Sequence, residues 1–229
     1  MIRFENVTKV LGGKPVLDDL SFEVAEGETF VIVGLSGAGK SVTLKHMIRL
    51  MRPDSGEILI DGEGIVGMGR TALRQMREKF GVLFQSAALL QWMTVLDNVA
   101  LPLREHTDLA EEDILRQVNE KLEMLNLDDA GDKFPSDISG GMQKRVGLAR
   151  AIIMNPKIVL YDEPTSGLDP VTSRRIDELI VNMRKRLGIT SVVVTHDLQS
   201  ALSIGTRIMM LHNGQIVESA TPKEFIRSK

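Results

Sequence analysis

The sequence runs to 229 residues, enough for one sizeable core, with 43% apolar residues, 26% charged residues and a net charge of −3. That balance lacks the clustered basic excess of a nucleic-acid binder, and the absence of cysteine excludes disulfides and thiolate metal sites. No apolar run approaches the roughly 18 residues of a membrane span, and residues 1–6 carry no hydrophobic leader, so action at a membrane is expected to go through another chain.

Short strands open the chain. Residues 2–7, 16–24, 29–33 and 57–60 are rich in β-branched or alternating side chains, punctuated by Gly12-Gly13, Glu26-Gly27 and Asp61-Gly62. Residues 40–50 read as a helix directly after the strand at 29–33. A charged helical stretch at 71–79 precedes a strand at 81–84. From residue 86 to about 156 the pattern becomes helical. At 111–125, Ile114, Val118, Leu122 and Leu125 share one helical face, and residues 139–154 form another helix, stopped before Asn155-Pro156. This stretch is expected to be a helical subdomain inserted in a single α/β domain spanning residues 1–229.

The core resumes with a buried strand at 158–161, a helix at 172–187, a strand at 190–195 and a short helix at 197–203. A hairpin of residues 207–211 and 215–218 turns over Asn213-Gly214. Thr221-Pro222-Lys223-Glu224 starts a last helix with a capping box. Arg184-Lys185-Arg186 is expected to be a solvated helix face. The β/α alternation implies a mostly parallel core sheet with both faces covered.

The strongest motif is Gly34-Leu35-Ser36-Gly37-Ala38-Gly39-Lys40-Ser41, a complete G-x-x-x-x-G-K-[ST] between strand and helix, with Val42 next on the helix. Such a loop turns backbone N–H groups towards phosphate oxygens at a helix N-terminus. Lys40 would reach the β- and γ-phosphates and Ser41 would ligate Mg²⁺. Asn-Lys-x-Asp, the guanine-reading motif, is absent, which favours ATP over GTP. The strand at 158–161 ends in Asp162-Glu163. Asp162 is placed to hold the Mg²⁺ shell beside Ser41, and Glu163 to take a proton from an attacking water. His196 follows the next strand and faces the same crevice at the strands' carboxyl ends.

Ser139-Gly140-Gly141-Met142 begins the helix at 139–154, and Ser166-Gly167-Leu168-Asp169 follows the acidic pair. The order of phosphate loop, Gln85, Ser-Gly-Gly, Asp162-Glu163, Asp169 and His196 resembles that of ABC transporter ATPases over essentially the whole chain. The resemblance implies a P-loop ABC cassette of α/β class, with an N-terminal antiparallel β subdomain, a mostly parallel core sheet and an inserted helical subdomain. It makes Gln85 the Q-loop residue that contacts Mg²⁺ or water. Ser139, Gly140, Gly141 and Met142 become the signature that binds the nucleotide of an opposite subunit, Asp169 the D-loop residue at the dimer seam, and His196 the switch histidine. Homodimerisation follows, because each site lacks part of its ligand set.

Two departures stand out. Met142 occupies the place of the usual signature glutamine, with Gln143 after it. Leu11 stands where many such cassettes have an adenine-stacking aromatic. Residues 83–90 and 97–107 further resemble the ATPase subunit of Mla-type phospholipid transporters. That resemblance implies a membrane permease, an MCE-type lipid-binding partner and a place on the cytoplasmic face of an inner membrane. Read without it, residues 98–105 are a packing helix. An amino-acid or lipoprotein transporter is the alternative, and a soluble ABC protein of DNA repair or translation is disfavoured by charge and by the single cassette.

Overall fold

Residues 1–227 are described in the computed structural model. The first strands, β1 (Ile2–Leu11) and β2 (Lys14–Val24), pair antiparallel around Gly12-Gly13. β3 (Thr29–Val33) is buried at every residue and leads through the phosphate loop into α1 (Lys40–Met47). β4 (Ser55–Ile60) and the two-residue β5 (Glu63–Gly64) complete an antiparallel sheet ordered β2-β1-β4-β5. α2 (Arg70–Arg77) then leads to β6 (Phe80–Leu83).

Three helices, α3 (Val95–His106), α4 (Glu111–Met124) and α5 (Gly140–Ile152), intervene before β7 (Ile158–Asp162). The chain continues through α6 (Pro170–Leu187), β8 (Thr190–Thr195), α7 (Leu198–Ile204), β9 (Arg207–His212), β10 (Gln215–Ala220) and α8 (Pro222–Phe225). The second sheet is ordered β10-β9-β3-β8-β7-β6, parallel throughout except for the β9–β10 hairpin.

Strand alternation divides the core in two. Val31, Val33, Val159, Tyr161 and Val193 face the helical layer, packing with residues such as Val99, Val118, Val146 and Ile180. Their neighbours Phe30, Ile32, Ile158, Leu160, Val192 and Val194 face the antiparallel sheet and α1, against Phe4, Leu17, Leu44 and Met47. Phe4, Phe22 and Phe30 stack with ring centroids 4.5 and 5.3 Å apart, and the Arg207 guanidinium lies 4.8 Å from the Phe30 centroid. Both faces of the parallel sheet are thereby covered, as its largely apolar central strands require.

The expected α/β architecture is present, with differences at element ends. α1 stops at Met47 because Arg49 turns left-handed (φ 48°) and the Leu50 N–H donates back to the Lys45 carbonyl. α3 extends beyond 98–105 at both ends. Thr94 caps it, accepting from the Asp97 N–H at 3.1 Å, and the helix accommodates Pro102 in its interior. β5 is too short to leave a pattern in the sequence. The 184–186 triplet lies in the last turn of α6, with Lys185 and Arg186 exposed, where the helix dipole favours cations.

His46 is buried on α1, its Nδ1 bonded to the Val42 carbonyl at 2.7 Å and its Nε2 without a partner. Burial holds its pKa below the usual histidine value. As pH falls through about 6.5, the unfolded chain takes up a proton that the folded chain refuses, so this group subtracts stability until the folded-state pKa is passed. Urea midpoints measured from pH 7.5 to 5.5 should therefore fall more steeply for the native chain than for His46→Gln, which cannot titrate; parallel curves would contradict this account.

Candidate active site

The phosphate loop is shaped by what its glycines approach. A Cβ on Gly34 would lie 2.3 Å from the Leu211 carbonyl oxygen, and one on Gly39 would lie 2.7 Å from that of Val16. Gly39, at φ 105°, is also the residue before α1. No side chain caps α1 and no acid occupies its first turn, which leaves its N-terminal N–H groups and dipole to an anion. Lys40 curls over the loop, donating to the carbonyls of Gly34 (2.8 Å) and Leu35 (3.2 Å).

The carboxyl ends of β7 and β8 bring the polar groups to this loop. Asp162 Oδ1 accepts from the Ser41 hydroxyl at 2.8 Å. Glu163 is nearly buried and left-handed (φ 48°), a conformation that costs a non-glycine residue of order 1 kcal/mol or more. Its N–H donates to the Val194 carbonyl at 2.9 Å. Its Oε2 accepts from the His196 N–H (3.3 Å) and lies 2.8 Å from His196 Nδ1, while Oε1 is 3.6 Å from Lys40 Nζ. The His196 side chain is 63% exposed and so is open to a ligand above the carboxylate.

Val16, residues 35–37 and 39–42, Gln85, Glu163 and His196 line one cleft of about 730 Å³, a size suited to a small polyanionic ligand. Gln85 reaches it, although its amide donates to the Ser166 hydroxyl at 3.4 Å. The hard oxygen donors of Ser41 and Asp162, already 2.8 Å apart, fit a Mg²⁺ bound jointly with phosphate. Among the described residues no group of three or more His, Cys, Asp or Glu could hold a metal by itself.

Ser139, Gly140, Gly141, Met142 and Asp169 do not line that cleft. Ser139 caps α5, its hydroxyl accepting from the Met142 N–H at 3.3 Å, and Ser139 and Gly140 are exposed. A Cβ on Gly141 would come within 2.4 Å of Thr172 Cγ2, so the signature rests on the start of α6. Asp169 caps that helix, accepting from the N–H groups of Val171 and Thr172 at 3.0 Å each. Hydrogen bonds, first that from the Thr172 side chain, hold its carboxyl below the usual range. Its side chain is thus engaged within its own chain. Sequence reasoning missed the supports of this region. Asn98 is buried and bonded to Leu90, Met93 and Thr94, Arg150 donates to the Ala87 and Ala88 carbonyls, and Lys144 is buried behind Gln85. A lysine in the row 144, 147, 148 and 151, otherwise Gly, Leu and Ala, was the available signal for the last.

A family model described as ABC transporter matches residues 17–166. The chain belongs to the ABC transporter family. It is 43% identical over 216 residues to a probable ribonucleotide transport ATP-binding protein, mkl, of Mycobacterium leprae, covering 94% of this chain and 62% of that one. The methionine import ATP-binding protein MetN of Carboxydothermus hydrogenoformans is 42% identical over 95% of this chain and 65% of its own length. The intermembrane phospholipid transport ATP-binding protein MlaF of Haemophilus influenzae is 37% identical over all of this chain and 87% of its own. This chain therefore spans less than two thirds of the mkl and MetN relatives. Among solved structures, the dimeric post-hydrolysis ATP-binding cassette MJ0796, bound to ADP and Pi, superposes with a TM-score of 0.89 at 34% identity, covering 97% of this chain and 99% of that one.

The geometry of Gly39 supplies a direct test. Gly39→Ala should lower stability by about 2 kcal/mol, through positive φ and the close Val16 carbonyl, and should weaken nucleotide binding. Urea unfolding and a fluorescent-nucleotide titration would read both, and an unperturbed variant would contradict the loop geometry.

Proposed function

We propose that the chain binds and hydrolyses ATP as one of two identical cassettes that close on two nucleotides and drive a separate membrane permease. The observation that carries this reading is the joint contact of Glu163 with His196 and Lys40, in the cleft formed by the phosphate loop. On this reading residues 34–42 cradle the phosphates, and Lys40 leaves the Gly34 and Leu35 carbonyls for the β- and γ-phosphate oxygens. Water attacks the γ-phosphorus as the bond to the β–γ bridging oxygen breaks. Glu163 accepts the water's proton, and His196 orients that carboxylate and donates towards the γ-phosphate. Ser41 and Asp162, with Gln85, would hold Mg²⁺, whose charge offsets that on the phosphates.

The signature residues Ser139, Gly140, Gly141 and Met142 lie outside their own chain's cleft, which supports their serving the nucleotide of a second copy. Asp169 would then stand at the seam between copies. A groove of about 540 Å³ beside Phe84, lined also by Arg74, Leu101, Pro102 and His106, supports a permease seat next to Gln85. Among the described residues no helix is long and apolar enough to cross a membrane, so attachment to the cytoplasmic face would be through that permease.

For cargo we favour phospholipid moving between inner and outer membranes, with an MCE-type lipid-binding protein in the assembly. Residues 83–90 and 97–107 and the similarity to MlaF over all of this chain support this choice. The similarities to mkl and MetN support a second reading, a polar solute as cargo.

Glu163→Gln should retain ATP affinity, hydrolyse about a hundredfold or more slowly, and elute as a dimer with ATP; ordinary turnover would refute the base assignment. Ser139→Ala should lower turnover while ATP binding by the separate chain persists, and loss of that binding would sink the trans role. Purification with the native permease should bring phospholipid, whereas a lipid-free complex that binds a polar solute would decide for the second reading.

A further inference from the structure

Helix α5 presents one face to β6 and the segment after it. A Cβ on Gly147 would lie 2.8 Å from Leu83 Cδ1 and 3.0 Å from the Ala87 Cβ, and one on Gly81 would lie 2.1 Å from the Ala151 carbonyl oxygen. Backbone and backbone are therefore in near contact along this seam. Ala87 and Ala88 both have positive φ (58° and 48°), and Arg150 holds their carbonyls at 2.7 and 2.9 Å. Residues 85–88 and α5 form one stiff piece as a result. The signature begins that piece, and Gln85 lies at its other edge.

Lys144 is on the same face, only 5% exposed, and its Nζ donates to the Gln85 carbonyl and to the Glu163 carbonyl, the latter at 3.2 Å. The ammonium also lies in the field of the Asp162 and Glu163 carboxylates. A buried ammonium is costly to keep, and an apolar residue of similar length would fill the volume without that cost. What the ammonium adds is a two-carbonyl joint. It ties the stiff α5 and 85–88 piece to the one non-glycine residue lining the cleft whose backbone is left-handed. Glu163 is held in that conformation by its N–H on Val194, by its carboxylate on His196, and by its carbonyl, which accepts from both Lys144 and the Ser166 N–H.

We infer that Lys144 is a positioning residue for Glu163, fastening the base's backbone to the Gln85 carbonyl so that movement of the helical layer is felt at the attacking water. The inference rests on the proposed hydrolytic role of Glu163. It separates Lys144 from the groups that touch nucleotide, since Lys144 does not line the nucleotide cleft.

The test uses the full chain, with turnover measured under Mg²⁺ and ATP or, if slow, in single-turnover mode with protein in excess. Lys144→Met should lower kcat by about ten- to a hundredfold and leave KM and ATP affinity within about twofold. Lys144→Gln, which keeps a donor, should lose less and serves if the methionine variant does not fold. In a Glu163→Gln background, adding Lys144→Met should change the residual rate by less than about twofold, because the residue acts through Glu163. Unchanged kcat in Lys144→Met, or an equal loss in both backgrounds, would overturn the inference. Failure of the unmodified chain to hydrolyse ATP would instead remove the reading on which it rests.

Discussion

Parallel pairing in register sets the position of every group in the cleft. Val33 pairs with Thr195 and Asp162 with Val194, so β3, β7 and β8 end at nearly one level. The loop after β3, the acidic pair at the end of β7 and His196 after β8 thus converge without long connections. Loops at the carboxyl ends of a parallel sheet rest on a rigid, fully buried scaffold, which keeps the carboxylate–imidazole contact at 2.8 Å although its members are 33 residues apart. A one-residue slip in either pairing would exchange each strand's two packed faces and misfit both layers, so the packing on either side of the sheet guards the registry of the site.

Much of this was legible in the sequence because the signals were local. A glycine at a tight approach, an apolar strand ending in two acids and a Thr-Pro-x-Glu helix start each carry their own geometry within a few residues. The assignments at β3, β7 and β8 succeeded for that reason. The supports were not legible in the same way. Lys144 and Arg150 act on main-chain carbonyls distant in sequence, Asn98 on those of the preceding loop, and a carbonyl leaves no mark in the residue string. α3 was only partly visible, since Pro102 interrupts the pattern on which helix assignment depends. Asp169 shows a further limit. The family resemblance implied a place at a seam between copies, whereas the structure makes it the N-cap of α6.

The two halves of the polar apparatus are held by different means. The phosphate loop, Asp162 and Glu163 are fixed to the sheet, while the signature rests on α5 and, through Gly141, on the start of α6. Helices packed side on can shift by an ångström or two at little cost, but in-register strands cannot. A partner pressing on the surface beside Phe84 would therefore move α5 with residues 85–88 before it deformed the sheet. The chain is divided into a part held by strand pairing and a part held by helix packing, joined by the seam of α5 on β6 and by the Lys144 ammonium on the Glu163 carbonyl.

The left-handed backbone of Glu163 has a consequence for selection acting on this chain. Glycine at that position would relax the conformation and remove a nearly buried carboxylate, so the replacement should fold at least as well. Screens for solubility, expression or heat resistance would then enrich chains that have discarded the proposed base. Persistence of glutamate at 163 would record selection for turnover and not for folding.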